Sequence, residues 1–163
     1  MQLIHPFKDK VFRVAKRLLV STEEAEDATQ EVLVKLWHKN EALQAYTSVE
    51  ALAMTMTKNY CLDQLKSKRA NTLSLVHSNF TDRAAGVQQQ VEDQDTWNWV
   101  ERIMNELPEQ QRLIVQLRDI EEMEFDKIAE ILNMNEQAIR TALSRARKTI
   151  RERMQKTHQY GTH

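Results

Sequence analysis

Only four residues of 163 are glycine or proline: Gly86, Gly161, Pro6 and Pro108. Tight hairpin turns draw heavily on these two residue types, glycine for positive φ and proline for a pre-set φ. A sheet protein of this length would need many such turns. Leu, Ala, Gln, Glu, Arg and Lys dominate the chain instead, and all are good helix formers. The expected fold class is therefore all-α. The length suits one ordinary domain or two small ones.

The single cysteine, Cys61, rules out an internal disulfide and a cysteine-based zinc framework. The chain opens MQLIHPFKDK, with no apolar stretch behind its charges, and no run approaches the roughly 18 apolar residues of a membrane helix. A soluble, cytoplasmic protein without membrane contact is expected. The net charge of −1 says little about partners, because the distribution of charge along the chain matters more than its total.

Helical periodicity divides the chain. Phe7, Val11, Val14, Ala15 and Leu18 mark a first helix ending near Leu19. Ser21 with Glu24 reads as a capping box opening a second helix that runs to about Lys39. Thr47 with Glu50 repeats the box before a third helix, about Val49 to Arg69. The stripe then stops: 71–94 is polar and unpatterned, and reads as a flexible linker. Val100, Ile103, Met104 and Leu107 resume it up to Pro108, and this stripe assigns Trp97 to the core. Helices are expected over Glu109–Ile120, Phe125–Leu132 and Glu136–Lys156. Two small helical domains, 1–70 and 95–163, joined by the linker describe the pattern most simply.

The C-terminal helices form a helix-turn-helix. Asn133 suits the left-handed position ending one helix, and Asn135 suits the cap of the next. At about 100° per residue, Ile139, Ala142, Leu143, Ala146 and Ile150 share one face of that last helix. Gln137, Arg140, Thr141, Ser144, Arg145 and Lys148 share the other. Between Asn135 and Lys156 seven basic residues stand against two acidic ones, a local charge of +5. An apolar inner face and a basic, donor-rich outer face are what a helix entering the major groove needs.

In the second helix Ala25, Ala28, Thr29, Val32, Leu33 and Leu36 line the inner side. Asp27, Gln30, Glu31, His38 and Val34 lie outside. Val34 there is either an ordinary exposed hydrophobe or part of a docking surface. The third helix carries Lys58, Asn59, Lys66, Lys68 and Arg69, readable as a solvated charged face or as contacts to phosphates and unstacked bases.

Three segments resemble one family. TEEAEDATQEVLVKLW (Thr22 to Trp37) resembles the core-binding segment of extracytoplasmic-function (ECF) sigma factors of bacterial RNA polymerase. ALAMTMTKNYCLDQLKSKR (Ala51 to Arg69) resembles their promoter-melting and minus-ten segment. LPEQQRLIVQLRDIEEMEFDKIAEILNMNEQAIRTALSRARKTIR (Leu107 to Arg151) resembles their minus-thirty-five domain. The resemblance implies that Asp27, Gln30 and Glu31, with Val34, meet the clamp of the polymerase's largest subunit. It implies that Lys58, Asn59 and a loop from Lys66 to about Leu73, with Lys68 and Arg69, handle the minus-ten element. Arg140, Thr141, Ser144 and Arg145 match its groove-reading face. Core RNA polymerase, promoter DNA and an anti-sigma factor are the implied partners, and no cofactor or metal is implied. Leu52 stands where the family usually has Trp, Glu122 and Asn133 where it has glycines, and Ala142 where it often has Arg.

A plain helix-turn-helix regulator would share the C-terminal half but would carry a ligand pocket or phosphoacceptor domain in the first 70 residues. An enzyme fits poorly: there is no P-loop and no HExxH, and His5, His38, His77, His158 and His163 never fall at ligand spacing. Cys61 lacks an activating histidine or helix N-terminus and reads as buried filler. A pure protein-interaction module has no need of the basic helix.

Overall fold

A computed structural model describes residues 5–39, 41–45, 48–76 and 95–160, and every regular element among them is helical. The N-terminal domain comprises α1 (Lys8–Leu19), α2 (Thr22–His38) and α3 (Val49–Val76), each packed on the other two. Its core is narrow because much of it is small: Ala15, Ala25, Ala28, Ala51 and Ala53 let the helices approach around Val11, Leu18, Leu36 and Met54.

Local signals act largely as expected, with exceptions that have identifiable causes. Ser21 Oγ accepts from the Glu24 amide at 3.3 Å, but the Glu24 carboxylate does not return to the cap. It pairs with Lys68 on α3, so a tertiary ion pair replaces half of the capping box. Before α3 the described cap is Ser48, whose Oγ accepts from the Ala51 amide at 3.1 Å. Thr47 lies outside the described residues, and Glu50 pairs with Lys10 of α1 at 2.7 Å. The third helix also overruns its expected end. It continues through Val76, so the supposed loop from Lys66 to Leu73 and the first residues of the linker are helical. Nothing between Arg69 and Val76 is a helix breaker, and an amphipathic stripe is not required to extend a helix already nucleated. The rest of the linker, 77–94, lies outside the described residues.

Val20 ends α1 in the left-handed region, φ 65°, donating its N–H to Lys16 O at 2.8 Å. A β-branched side chain crowds its own backbone there, whereas glycine does not. Val20→Gly is expected to stabilise the protein by about 1 kcal/mol, read as a higher urea midpoint at unchanged slope. A lowered midpoint would count against strain at this position.

The C-terminal domain comprises α4 (Asp95–Glu106), α5 (Glu109–Val115), α6 (Phe125–Leu132) and α7 (Glu136–Tyr160). Helix α7 packs on the other three around Leu113, Ile114, Leu117, Ile128, Ile131, Ile139 and Leu143. The helix expected over Glu109–Ile120 is α only to Val115. Gln116–Ile120 forms a π turn in which the Glu121 amide donates to Gln116 O at 2.9 Å. Glu122 follows with φ 55°, which explains why glycine is the customary residue there.

Trp97 is not in the core but 66% exposed. Its stripe is real, since Ile103, Met104 and Leu107 are buried. Trp97, however, sits two turns earlier, beyond the helices that cover that face, and borders a groove with Phe12, Val20 and Ile120. The groove exists because the two domains are docked: α1 meets α5 and α3 meets α6, and their buried residues join one cluster. No helix among the described residues is long and apolar enough to cross a membrane.

Candidate nucleic-acid and protein interfaces

The turn between α6 and α7 is built from two asparagines. Asn133 adopts φ 52°, ψ 47°, a left-handed conformation that its short polar side chain tolerates. Asn135 Oδ1 accepts from the Ala138 amide at 2.7 Å and so caps α7. This sets the rotation of α7: Ile139, Leu143 and Ala146 are buried, Ala142 and Ile150 are half-buried, and Gln137, Arg140, Thr141, Ser144, Arg145 and Lys148 are all exposed.

The basic residues of α7 then separate into two groups. Arg147 is tied to Asp119, with Nε on Oδ2 at 3.0 Å, and that hydrogen bond raises its pKa. Arg153 pairs with Glu106. Both hold α7 to its own domain. Arg140, Arg145, Lys148, Arg151 and Lys156 remain on the outer surface. The Arg140 guanidinium stands 4.0 Å from the centre of the Phe125 ring, and Arg118 lies 4.3 Å from the same ring. Stacking of this kind restricts a guanidinium without consuming its donors, and the one ion pair Arg140 makes among the described residues is a loose contact of Nη2 with Glu136 at 3.9 Å, too long for a hydrogen bond. Phe125 was legible only as a core-face residue; its supporting role needs the contact between α6 and α7.

On α2, Asp27, Gln30 and Glu31 are exposed, and Val34 is 51% exposed. Trp37, one turn further, is 49% exposed and extends the patch. Its spacing of three from Val34 was the signal available in the sequence. Glu31 has only a loose contact with Lys35, 3.9 Å away. Burial, and then the carboxylates of Glu31 and Asp27, push the Tyr60 phenol of α3 up. This side of α2 is therefore an acidic, partly apolar surface with little internal use for its charges.

The five candidates on α3 are less uniform. Asn59 and Lys66 are exposed. Lys68 pairs with Glu24. Arg69 pairs with Glu109 of the C-terminal domain. Lys58 is half-buried, its Nζ donating to Ile131 O at 2.8 Å, and burial lowers its pKa. Cys61 is fully buried, and burial pushes its thiol up to about 12, so it is protonated at neutral pH.

Two basic residues escaped the sequence reading altogether. Arg17 of α1 is 7% exposed, with its guanidinium on Gln116, Asn105 and Glu101. Arg13, one turn earlier, donates from Nε and Nη2 to the two carboxylate oxygens of Glu121. Their partners lie 84 to 108 residues away, beyond any local pattern.

Comparison with known proteins places both halves. Residues 3–71 match the family description Sigma-70 region 2, and residues 97–150 match Sigma-70, region 4. The ECF RNA polymerase sigma factor SigW of Bacillus subtilis is 22% identical over 162 residues, covering 93% of this chain and 87% of SigW. SigE of Mycolicibacterium smegmatis, also named an ECF sigma factor, is 25% identical, covering 95% of this chain and 61% of SigE. Among solved structures, the sigma factor RpoE from Bartonella quintana, crystallised with the anti-sigma factor NepR, superposes with a TM-score of 0.75 at 22% identity. It covers 94% of this chain and 95% of RpoE. CnrH in complex with the cytosolic domain of CnrY gives a TM-score of 0.67 at 18% identity, covering 94% of this chain and 86% of CnrH.

Proposed function

The chain belongs to the sigma-70 family of RNA polymerase sigma factors, as a member of the ECF group, and we propose that it divides promoter work between its two domains. Residues 1–70 bind core polymerase and open the minus-ten element. Residues 95–163 bind the minus-thirty-five element. The observation that carries this division is the sorting of α7, whose buried face fixes it to the domain while six polar or basic side chains stand exposed together. The acidic and apolar surface of α2 supports docking to the polymerase clamp through Asp27, Gln30, Glu31 and Val34, with Trp37 added. The protein acts without catalysis of its own, in the cytoplasm. An anti-sigma factor is a fitting partner, since RpoE of B. quintana was crystallised with one. Run-off transcription with core polymerase over a promoter library tests the reading. Specific transcripts that depend on this chain are expected, and their absence from every promoter would refute it.

Strand opening is proposed for the exposed part of α3. Alanine at Asn59 or Lys66 is expected to impair open-complex formation more than closed-complex binding, because unstacked bases become available only once melting has begun. Equal losses in both steps would instead point to simple phosphate contacts.

A further inference from the structure

We propose that the Phe125 ring, itself held by Arg118, is the positioning element that aims Arg140 at a base edge. Sequence discrimination by α7 then depends on an aromatic side chain of α6 that makes no base contact of its own. The inference rests on the minus-thirty-five role given above to Arg140.

The supporting contacts form a short chain. Phe125 is the first residue of α6 and is half-buried. Its ring centre lies 4.0 Å from the Arg140 guanidinium and 4.3 Å from that of Arg118. Both distances are well inside the roughly 6 Å over which a ring face attracts a cation. Arg118 is anchored in turn, its Nη1 donating to Met123 O at 2.9 Å. The Met123 amide donates to Leu117 O, also at 2.9 Å, which folds the segment leading into α6 back on the π turn that carries Arg118. Backbone thus fixes Arg118, and Arg118 and Arg140 meet on one ring.

Base reading makes a demand on Arg140 that phosphate binding does not. A guanidinium fork meets a base edge only when the two are nearly coplanar and the fork points along the groove floor. A phosphate accepts a cation from a wider range of directions. An arginine on an exposed helix face has many rotamers, and ordering it on binding costs affinity unless it is ordered beforehand. Stacking on Phe125 does that ordering and leaves the donors for DNA. The alternative partner is Glu136, one turn earlier, with Oε2 3.9 Å from Arg140 Nη2. An acidic residue four places before a basic one is the favourable order along a helix. Without the ring, the guanidinium is free to pair along α7 rather than project from it.

The arrangement is also selective. Among the described residues, no other basic side chain on the outer face of α7 stacks on a ring. Arg145 and Lys148 are exposed without such support, as suits groups that meet phosphate. The one aromatic shelf lies under the residue nearest the start of α7, where groove-inserted helices meet bases.

The test uses holoenzyme assembled from the full chain, in run-off transcription on templates with a randomised upstream element and a transcribed barcode. Sequencing the transcripts gives the base preference at each upstream position. Phe125→Leu keeps an apolar side chain at the start of α6 and removes the ring. It is expected to lower the preference about two- to fivefold, the range of an exposed cation–aromatic contact, at the same positions that Arg140→Ala flattens. Phe125→Tyr, which keeps the ring, is expected to retain the wild-type profile. In an Arg140→Ala background Phe125→Leu is expected to add nothing, because no guanidinium remains to be aimed. Arg118→Met is expected to erode the same positions. The Arg118 side chain is 30% exposed, so this variant reads the support even where Phe125→Leu fails to fold. A residue that only packs α6 gives another pattern, a lower urea midpoint with equal losses at every position and in both backgrounds, and that pattern would overturn the proposal. So would an unchanged profile in Phe125→Leu, and either result leaves the minus-thirty-five role standing. A wild-type holoenzyme with no preference anywhere in the upstream element would instead remove that role, and the proposal with it.

Discussion

Replacing Asp27 and Glu31 together with lysine is expected to abolish assembly with core polymerase and to leave helicity by circular dichroism unchanged. Both residues are exposed on α2, and among the described residues the only ion pair either makes is that of Glu31 with Lys35 at 3.9 Å, an exposed i,i+4 contact that contributes about 0.3–0.5 kcal/mol at most. The fold therefore has little to lose. The proposed interface has much more to lose, because placing like charges across a specific contact costs several kcal/mol, on the order of a hundredfold or more in affinity. The neighbouring Val34 and Trp37 would supply the apolar centre that such an interface needs. Size-exclusion chromatography with core polymerase is the measurement. A double variant that co-elutes as the wild type does would exclude this face of α2 as the docking surface.

Arg140→Ala and Lys148→Ala should fail in different ways. Arg140 lies near the start of α7, where groove-inserted helices usually meet base edges, and Phe125 stands 4.0 Å from its guanidinium, with Glu136 only loosely paired to it at 3.9 Å. Its loss is expected to cost roughly 1–3 kcal/mol on the preferred upstream element and to flatten discrimination at one or two base pairs. Lys148 is two turns further along, exposed, with Glu152 4.0 Å away. A straight helix leaves a curved groove by then, so Lys148 is expected to meet phosphate. Lys148→Ala should weaken all duplexes about equally and make the salt dependence shallower by about one unit. Binding of the full chain to promoter and scrambled duplexes at several salt concentrations distinguishes the two. Unchanged sequence preference in Arg140→Ala would remove Arg140 from base readout.

What the sequence by itself determined is what is closed within a few residues. Asn133 and Asn135 specify the turn because the first tolerates a left-handed backbone and the second caps the Ala138 amide with its side chain, and the rotation of α7 follows from the 3.6-residue period of Ile139, Leu143 and Ala146. The candidate groove face was therefore legible in full. So was the outer face of α2, apart from Trp37. The tertiary structure decided what depends on partners far along the chain. Glu24 leaves its cap for Lys68, Trp97 lies bare where its stripe outruns its covering helices, and Lys58 is spent on a carbonyl of α6. Arg17 carries no local mark of burial at all, because its acceptors come from α4 and a π turn of the other domain. Local hydrogen bonds and periodicity repeat within one or two helical turns and can be read from neighbours, whereas docking brings together groups whose separation in sequence has no period.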